Sequence, residues 1–131
     1  MDWIIMVIFV SYTTRDNYVD LNTLEMVSDV LSNYGPHYID LLHNDASEKQ
    51  RHVEKMLFHA QLMILINSRS IQKSEWVQWE LSEAKKTGIP IITVQASINP
   101  KETIDNLKYK VALEFNKLPK RLSKDVLTHV D

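Results

Sequence analysis

Cysteine is absent from the 131-residue chain. That excludes disulfides, thiolate nucleophiles and Cys-ligated zinc, and it fits a reducing compartment. Glycine occurs only twice, at Gly35 and Gly88, where ordinary usage would give roughly nine. Two glycines so far apart write neither a GxGxxG fingerprint nor a Walker A loop. Any nucleotide must therefore be held without a glycine-rich phosphate loop. A basic excess is also missing: 15 Lys and Arg stand against 17 Asp and Glu, a formal net charge of −2. That argues against a nucleic-acid partner and against a membrane-surface partner. The longest apolar stretch, Trp3 to Val10, is far short of a bilayer span and lacks the basic lead-in of a signal peptide. The expectation is a cytoplasmic protein.

What is present is one domain's worth of chain (residues 1–131) with globular composition, 44% apolar and 24% charged. Three apolar runs of strand length, Ile4–Val10, Leu62–Ile66 and Ile89–Val94, show no polar alternation. Such runs suit strands covered on both faces, as in a parallel sheet. A fourth run, Tyr38–Leu42, is interrupted by Asp40. Between the runs, apolar residues recur at helical spacing. Leu21, Leu24, Val27, Val30 and Leu31 form one face, with Asp16 or Asn17 as cap. Val53, Met56, Leu57 and Ala60 form a second, with Ser47 as cap. Val77, Leu81 and Ala84 form a third, capped by Ser74. Gly35 and Gly88 each stand where a helix stops. The order β-α-β-α-β-α-β predicts an α/β fold with helices on both faces of a parallel sheet. In the tail, the expectation is a short helix from Pro100 to about Lys108, a fifth strand over Lys110–Phe115 and a last helix from Pro119 to His129.

Ligands in such sheets bind beyond the carboxyl ends of the strands. The first strand delivers Ser11, Tyr12, Thr13, Thr14, Arg15 and Asp16 to that rim, the second His43 and Asn44, the third Asn67 to Ser70. On the third helix, Trp76 and Glu80 are four residues apart and share a face. Relative to a stripe centred on Val77, Leu81 and Ala84, that face lies at the edge of the core. A carboxylate there is partly desolvated and its titration is tunable. Equally, the tryptophan can be a lid on the core and the acid merely near it. Trp79 points away from the stripe, as an exposed aromatic at a protein interface would. His37, His52, His59 and His129 have no pairing at metal-ligand spacing, and no metal is expected.

Three segments resemble the TIR (Toll/interleukin-1 receptor) domain family. Ile8-Phe9-Val10-Ser11-Tyr12 is similar to its first box. Tyr38-Ile39-Asp40 is similar to its second strand, which leads into the BB loop. Leu65-Ile66-Asn67-Ser68, continued by Ser74-Glu75-Trp76-Val77-Gln78-Trp79-Glu80-Leu81, is similar to its SxWVxxEL stretch. The resemblance implies a single TIR domain with a flavodoxin-like three-layer sandwich and about five strands. TIR domains are either scaffolds that assemble with other TIR domains or enzymes that cleave NAD+ at the nicotinamide–ribose bond. The segment His43 to Glu48 lacks the Arg-Asp…Pro-Gly pattern of receptor BB loops, and Phe115 is followed by Asn116, so the receptor Phe-Trp box is missing. With no other domain in the sequence, the chain resembles the signal-producing TIR proteins of Thoeris-type antiphage systems. These convert NAD+ to linear, cyclic or otherwise modified ADP-ribose products that activate a separate effector.

By this resemblance NAD+ is a substrate and no cofactor is needed. Glu80 is the catalytic residue. Tyr12 and Asp40 occupy positions at the substrate cleft. Asp40 reads as an acid inside a buried strand, which needs a partner. Trp76 would wall the ribose or nicotinamide, and His43 would touch adenine or ribose. Backbone N–H groups after Ser11, at the start of the first helix, would hold phosphate, with Thr14 and Arg15 adding hydrogen bonds or charge. Self-association through TIR–TIR contacts is expected. The alternative is a non-enzymatic scaffold, and a third reading is nucleoside deoxyribosyltransferase-like chemistry.

Overall fold

Runs of Val, Ile, Leu and Met form the two central strands of one parallel sheet, while of the two edge strands one is only three residues long and the other alternates in burial. A computed structural model of the chain describes residues 7–43 and 48–130, with side chains as far as residue 115. The elements are β1 (Val7–Ser11), α1 (Leu21–Leu31), β2 (His37–Ile39), α2 (Asp40–His43), α3 (Lys49–Phe58), β3 (Ala60–Asn67), α4 (Glu75–Thr87), β4 (Ile91–Gln95) and α5 (Pro100–Val130). A 3-10 turn, Ile71–Lys73, leads into α4. The sheet is parallel throughout, in the order β2-β1-β3-β4. The chain leaves β1 toward one edge to form β2, then crosses back to place β3 on the other side of β1. The flavodoxin-like switch point is therefore between β1 and β3.

Strand periodicity sorts the core into two layers. Ile8, Val10, Ile39, Leu62, Ile64 and Val94 pack with Leu24, Val27 and Leu31 of α1 and with Ile104, Leu107 and Val111 of α5. Val7, Phe9, Tyr38 and Met63 face the other way and pack with Val53 and Leu57 of α3 and Ala84 of α4. Ser11 shares the parity of Val7 and Phe9. The end of β1 thus sends its hydroxyl toward the α4 side.

Several sequence expectations are corrected. The sheet has four described strands. Lys110–Phe115 is helical, and α5 runs unbroken from Pro100 to Val130, through Pro119. The reason is visible at Ile104, Leu107 and Val111: their spacing is helical, and all three are buried on the α1 face. Strand β2 ends at Ile39, so Asp40 is not inside a strand; it opens α2 and is half-buried. Helix α1 is capped by Asp20, whose side chain accepts the Thr23 N–H at 2.8 Å, and not by Asp16 or Asn17. Residues 4–6 and the expected cap Ser47 lie outside the described residues. Ser74 does cap α4, accepting the Val77 N–H, and Gly88 closes it in the left-handed conformation at φ 74°. Gly35, at φ 149°, likewise follows α1 with its N–H on the Leu31 carbonyl.

Candidate active site

The C-terminal ends of β1 and β2 and the first turns of α4 enclose a pocket of about 200 Å³, lined by Val10, Tyr12, Thr13, Thr14, Asp40, Ser74, Trp76 and Glu80. A larger groove of about 350 Å³ runs between α3 and α4, lined by Glu54, Leu57, Phe58, Trp79, Glu83 and Thr87. The smaller pocket is the candidate site because it lies at the strand ends beside the switch point and holds the buried carboxylate.

That carboxylate is Glu80. Residues 77, 80 and 84 form the buried stripe of α4, so Glu80 occupies a core position and is only 3% exposed. Leu81, which the sequence reading put in the stripe, is half-buried beside it. Ser11 Oγ–H donates to Glu80 Oε1 at 2.6 Å, joining the end of β1 to α4. Burial pushes the Glu80 carboxyl up to about 7. The Ser11 hydroxyl and the Trp76 side chain pull against that rise, and the nearby Asp40 charge adds to it. A carboxyl that titrates near neutrality in a pocket is the kind of group found at catalytic centres.

Trp76 is 37% exposed and lines the pocket, so it is not a core lid. Its ring stacks on Trp79 with centroids 5.3 Å apart. Trp79 is the partly buried one of the pair and packs against the α3–α4 core layer, contrary to the outward orientation its spacing implied. Trp79 therefore braces Trp76 from the core side.

Asp40 accepts the Tyr38 hydroxyl on Oδ1 at 2.7 Å. Tyr12 lines the pocket with its ring, while its hydroxyl oxygen accepts the Leu41 N–H at 2.8 Å. Burial pushes the Tyr12 phenol up to about 12, with the Asp40 and Glu80 charges adding to the rise and the Leu41 N–H opposing it. Thr14 is exposed at the pocket wall. Arg15 is exposed and next to it in sequence, with its N–H on Thr13 Oγ1, but it does not line the pocket.

His43 also lies outside the lining. Its Nδ1 accepts the Ile39 N–H at 2.9 Å, and its ring packs near His37 and Tyr38. Burial, and then the neighbouring His37, hold its pKa below the ordinary value. The expected anion site at the start of the first helix is displaced as well. Helix α1 begins at Leu21, ten residues beyond Ser11, and the Asp20 carboxylate already occupies its N-terminus.

Sequence reasoning missed the stitch that shapes the rim. Asp16 accepts the Ser70 N–H at 2.7 Å and the Ser70 hydroxyl at 2.9 Å, and the Tyr18 hydroxyl accepts the Arg69 N–H at 3.0 Å. The loops after β1 and β3 are thereby bound together across the switch point. Ser68 Oγ is buried without a close hydrogen bond, yet lies near enough to favour the charged form of Asp16. With the two Ser70 bonds it holds that carboxyl below its ordinary range. The only signal in the sequence was the clustering of Asp16, Ser68 and Ser70 at two neighbouring strand exits.

Among the described residues, no group of three or more His, Cys, Asp or Glu is placed to hold a metal ion, and no helix is long and apolar enough to cross a membrane.

The family described as the TIR-like domain of the Thoeris protein ThsB matches the chain over residues 9–101. The chain belongs to that family. A search of curated proteins finds no match. The matched span contains every residue that lines the pocket, together with Ser11, Arg15 and His43. The match runs from within β1 through helices α1 to α4 and the remaining strands to the first residues of α5. Membership places the protein among the TIR-domain proteins of antiphage Thoeris systems.

Proposed function

We propose that this domain cleaves NAD+ at the bond between nicotinamide and ribose and releases an ADP-ribose-derived signal in antiphage defence. The observation that carries the reading is Glu80, a buried carboxylate tethered by Ser11 in a pocket walled by Trp76. Breaking the ribosyl C1′–N bond sends its electron pair to the pyridine nitrogen, so nicotinamide departs neutral and needs no acid. The ribose carbon becomes oxocarbenium-like, and a fixed carboxylate stabilises that charge. Attack by water gives ADP-ribose and a proton; attack by a nucleophile of the same molecule gives a cyclic product. Glu80 is the catalytic residue in this scheme. Trp76 flanks the leaving ring, and Thr14 and Asp40 offer polar contacts at the wall. Arg15, reaching from the rim, supplies the positive charge that the pocket lining lacks and would meet the pyrophosphate. NAD+ is substrate here, so the chemistry calls for no resident cofactor. TIR–TIR self-association and a separate effector that senses the product complete the proposal.

The test is release of nicotinamide from NAD+ by the wild-type chain and by Glu80→Gln. The variant is expected to lose at least about 100-fold in kcat. Wild-type turnover should fall about tenfold per pH step below neutrality, because the carboxylate form is lost as pH drops through about 7. Turnover unchanged by Glu80→Gln sinks the assignment. A second reading, a domain that acts only by contact with other TIR domains, draws on Phe58, which is 79% exposed beside the α3–α4 groove. It predicts no nicotinamide release and loss of association in Phe58→Asp.

A further inference from the structure

Among the described residues, three bonds that involve side chains converge on the four-residue turn α2. Asp40 accepts the Tyr38 hydroxyl at 2.7 Å, Leu41 donates its N–H to the Tyr12 hydroxyl at 2.8 Å, and His43 accepts the Ile39 N–H at 2.9 Å. A helix this short satisfies almost none of its own backbone groups, so its position depends on such outside partners. Two of the three are local to β2 and α2. The third spans 29 residues and ties the turn to the exit of β1.

Tyr12 lines the same pocket as Asp40 and Glu80, so its ring serves as wall. Its hydroxyl is engaged elsewhere. The geometry points to Tyr12 as a positioning residue, whose hydroxyl pins the turn after β2 and so keeps the Asp40 carboxylate in the pocket that holds Glu80. Its importance for turnover rests on the NAD+-cleavage reading, whereas the positioning itself is a property of the ligand-free protein. Two further observations agree. The Asp40 charge is felt at both Tyr12 and Glu80, so the three groups share one field. The Tyr12 phenol stays neutral at working pH, and a neutral phenol keeps its lone pairs and its proton. Among the described residues, the groups facing Glu80 are Ser11 from β1, Tyr12 from the loop after it, Asp40 from α2 and Trp76 from its own helix.

The experiment follows the Glu80 carboxyl carbon by NMR titration of the full, ligand-free chain. Asp40→Asn sets the reference: removing the facing charge lowers the Glu80 midpoint. Tyr12→Phe keeps the ring and deletes only the hydroxyl. It is expected to lower the midpoint in the same direction, by about half a pH unit or more. The double variant is expected to match Asp40→Asn alone, because both changes act through one carboxylate. A Tyr12→Phe midpoint equal to wild type overturns the inference. So does a Tyr12→Phe shift that persists in full on the Asp40→Asn background, or an Asp40→Asn protein whose Glu80 midpoint does not move. If Tyr12→Phe does not fold, wild-type protein decides the matter. Slow solvent exchange of the Leu41 amide supports the bond, and exchange as fast as at an exposed, unbonded amide overturns it. The readout needs no turnover, so a chain inert toward NAD+ would fail the cleavage reading and still answer this question.

Discussion

Glu80 occupies a position on α4 that its neighbours Val77 and Ala84 mark as core, and this has a stability consequence. The unfolded chain titrates this carboxyl at its ordinary 4.5, the folded chain at about 7. Between those values the folded state binds more protons than the unfolded one. The contribution to stability is therefore fully present below the lower value and is lost as pH rises through the upper. The loss is on the order of 3 kcal/mol. Glutamine has a similar shape and does not titrate. Glu80→Gln should match wild type more closely at low pH and exceed it above neutrality. Denaturant unfolding of both proteins at about pH 5 and about pH 8.5 measures this; a stability difference that does not grow with pH would refute it. The same residue shows where reading from sequence stopped. A stripe drawn through apolar residues alone was centred on Val77, Leu81 and Ala84 and left Glu80 at its margin. Counting only apolar side chains biases the centre away from a buried polar one, and the Ser11 partner that makes the burial tolerable is 69 residues away.

At the scale of elements, α4 is the helix whose start matters to the site. Trp76 and Glu80 sit in its first two turns, and Ser74 caps it while also lining the pocket. Ser74→Ala should destabilise the protein by about 1 kcal/mol. It should also raise backbone exchange in the first turn of α4, which hydrogen-exchange mass spectrometry would register; protection unchanged over Glu75–Gln78 would show the cap to be dispensable. These local features were legible. Serine before the helix, glycine after it, and apolar runs for β1, β3 and β4 each carry their own short-range signal. Elements that depend on distant contacts were not. Lys110–Phe115 read as a strand when taken alone, but its helix is set by packing of Ile104, Leu107 and Val111 on the sheet. Tyr38–Leu42 read as one strand because the break at Asp40 is made by the partners of α2, one of them contributed by Tyr12 in the loop after β1.

Taken whole, the molecule separates a supporting layer from the layer that holds the buried carboxylate. One face of the sheet carries α1 and α5 in a closed apolar layer; the other carries α3 and α4, and Glu80 and Ser11 meet on that side. Leu107 is fully buried in the first layer. Leu107→Ala should cost about 2–5 kcal/mol and lower the thermal midpoint, yet leave the Glu80 titration and the turnover per folded molecule where they were. A changed Glu80 midpoint in that variant would mean that the two layers are coupled through the sheet. The parallel sheet with helices on both faces was implied by the alternation of strands and helices, and its flavodoxin-like class by the family resemblance. The binding of the β1 and β3 exits by Asp16 and Ser70 was not, since it joins residues 54 apart in sequence.

The buried carboxylate also sets a direction for descent. Replacing Glu80 with a neutral or apolar residue of similar volume relieves a desolvation cost and leaves the fold, the two tryptophans and the α3–α4 groove in place. Under the NAD+-cleavage reading, loss of that chemistry is thermodynamically downhill, whereas its recovery requires re-burying a charge beside a correctly placed serine. A lineage released from selection for catalysis would slide toward a more stable domain that only binds, and it would seldom return.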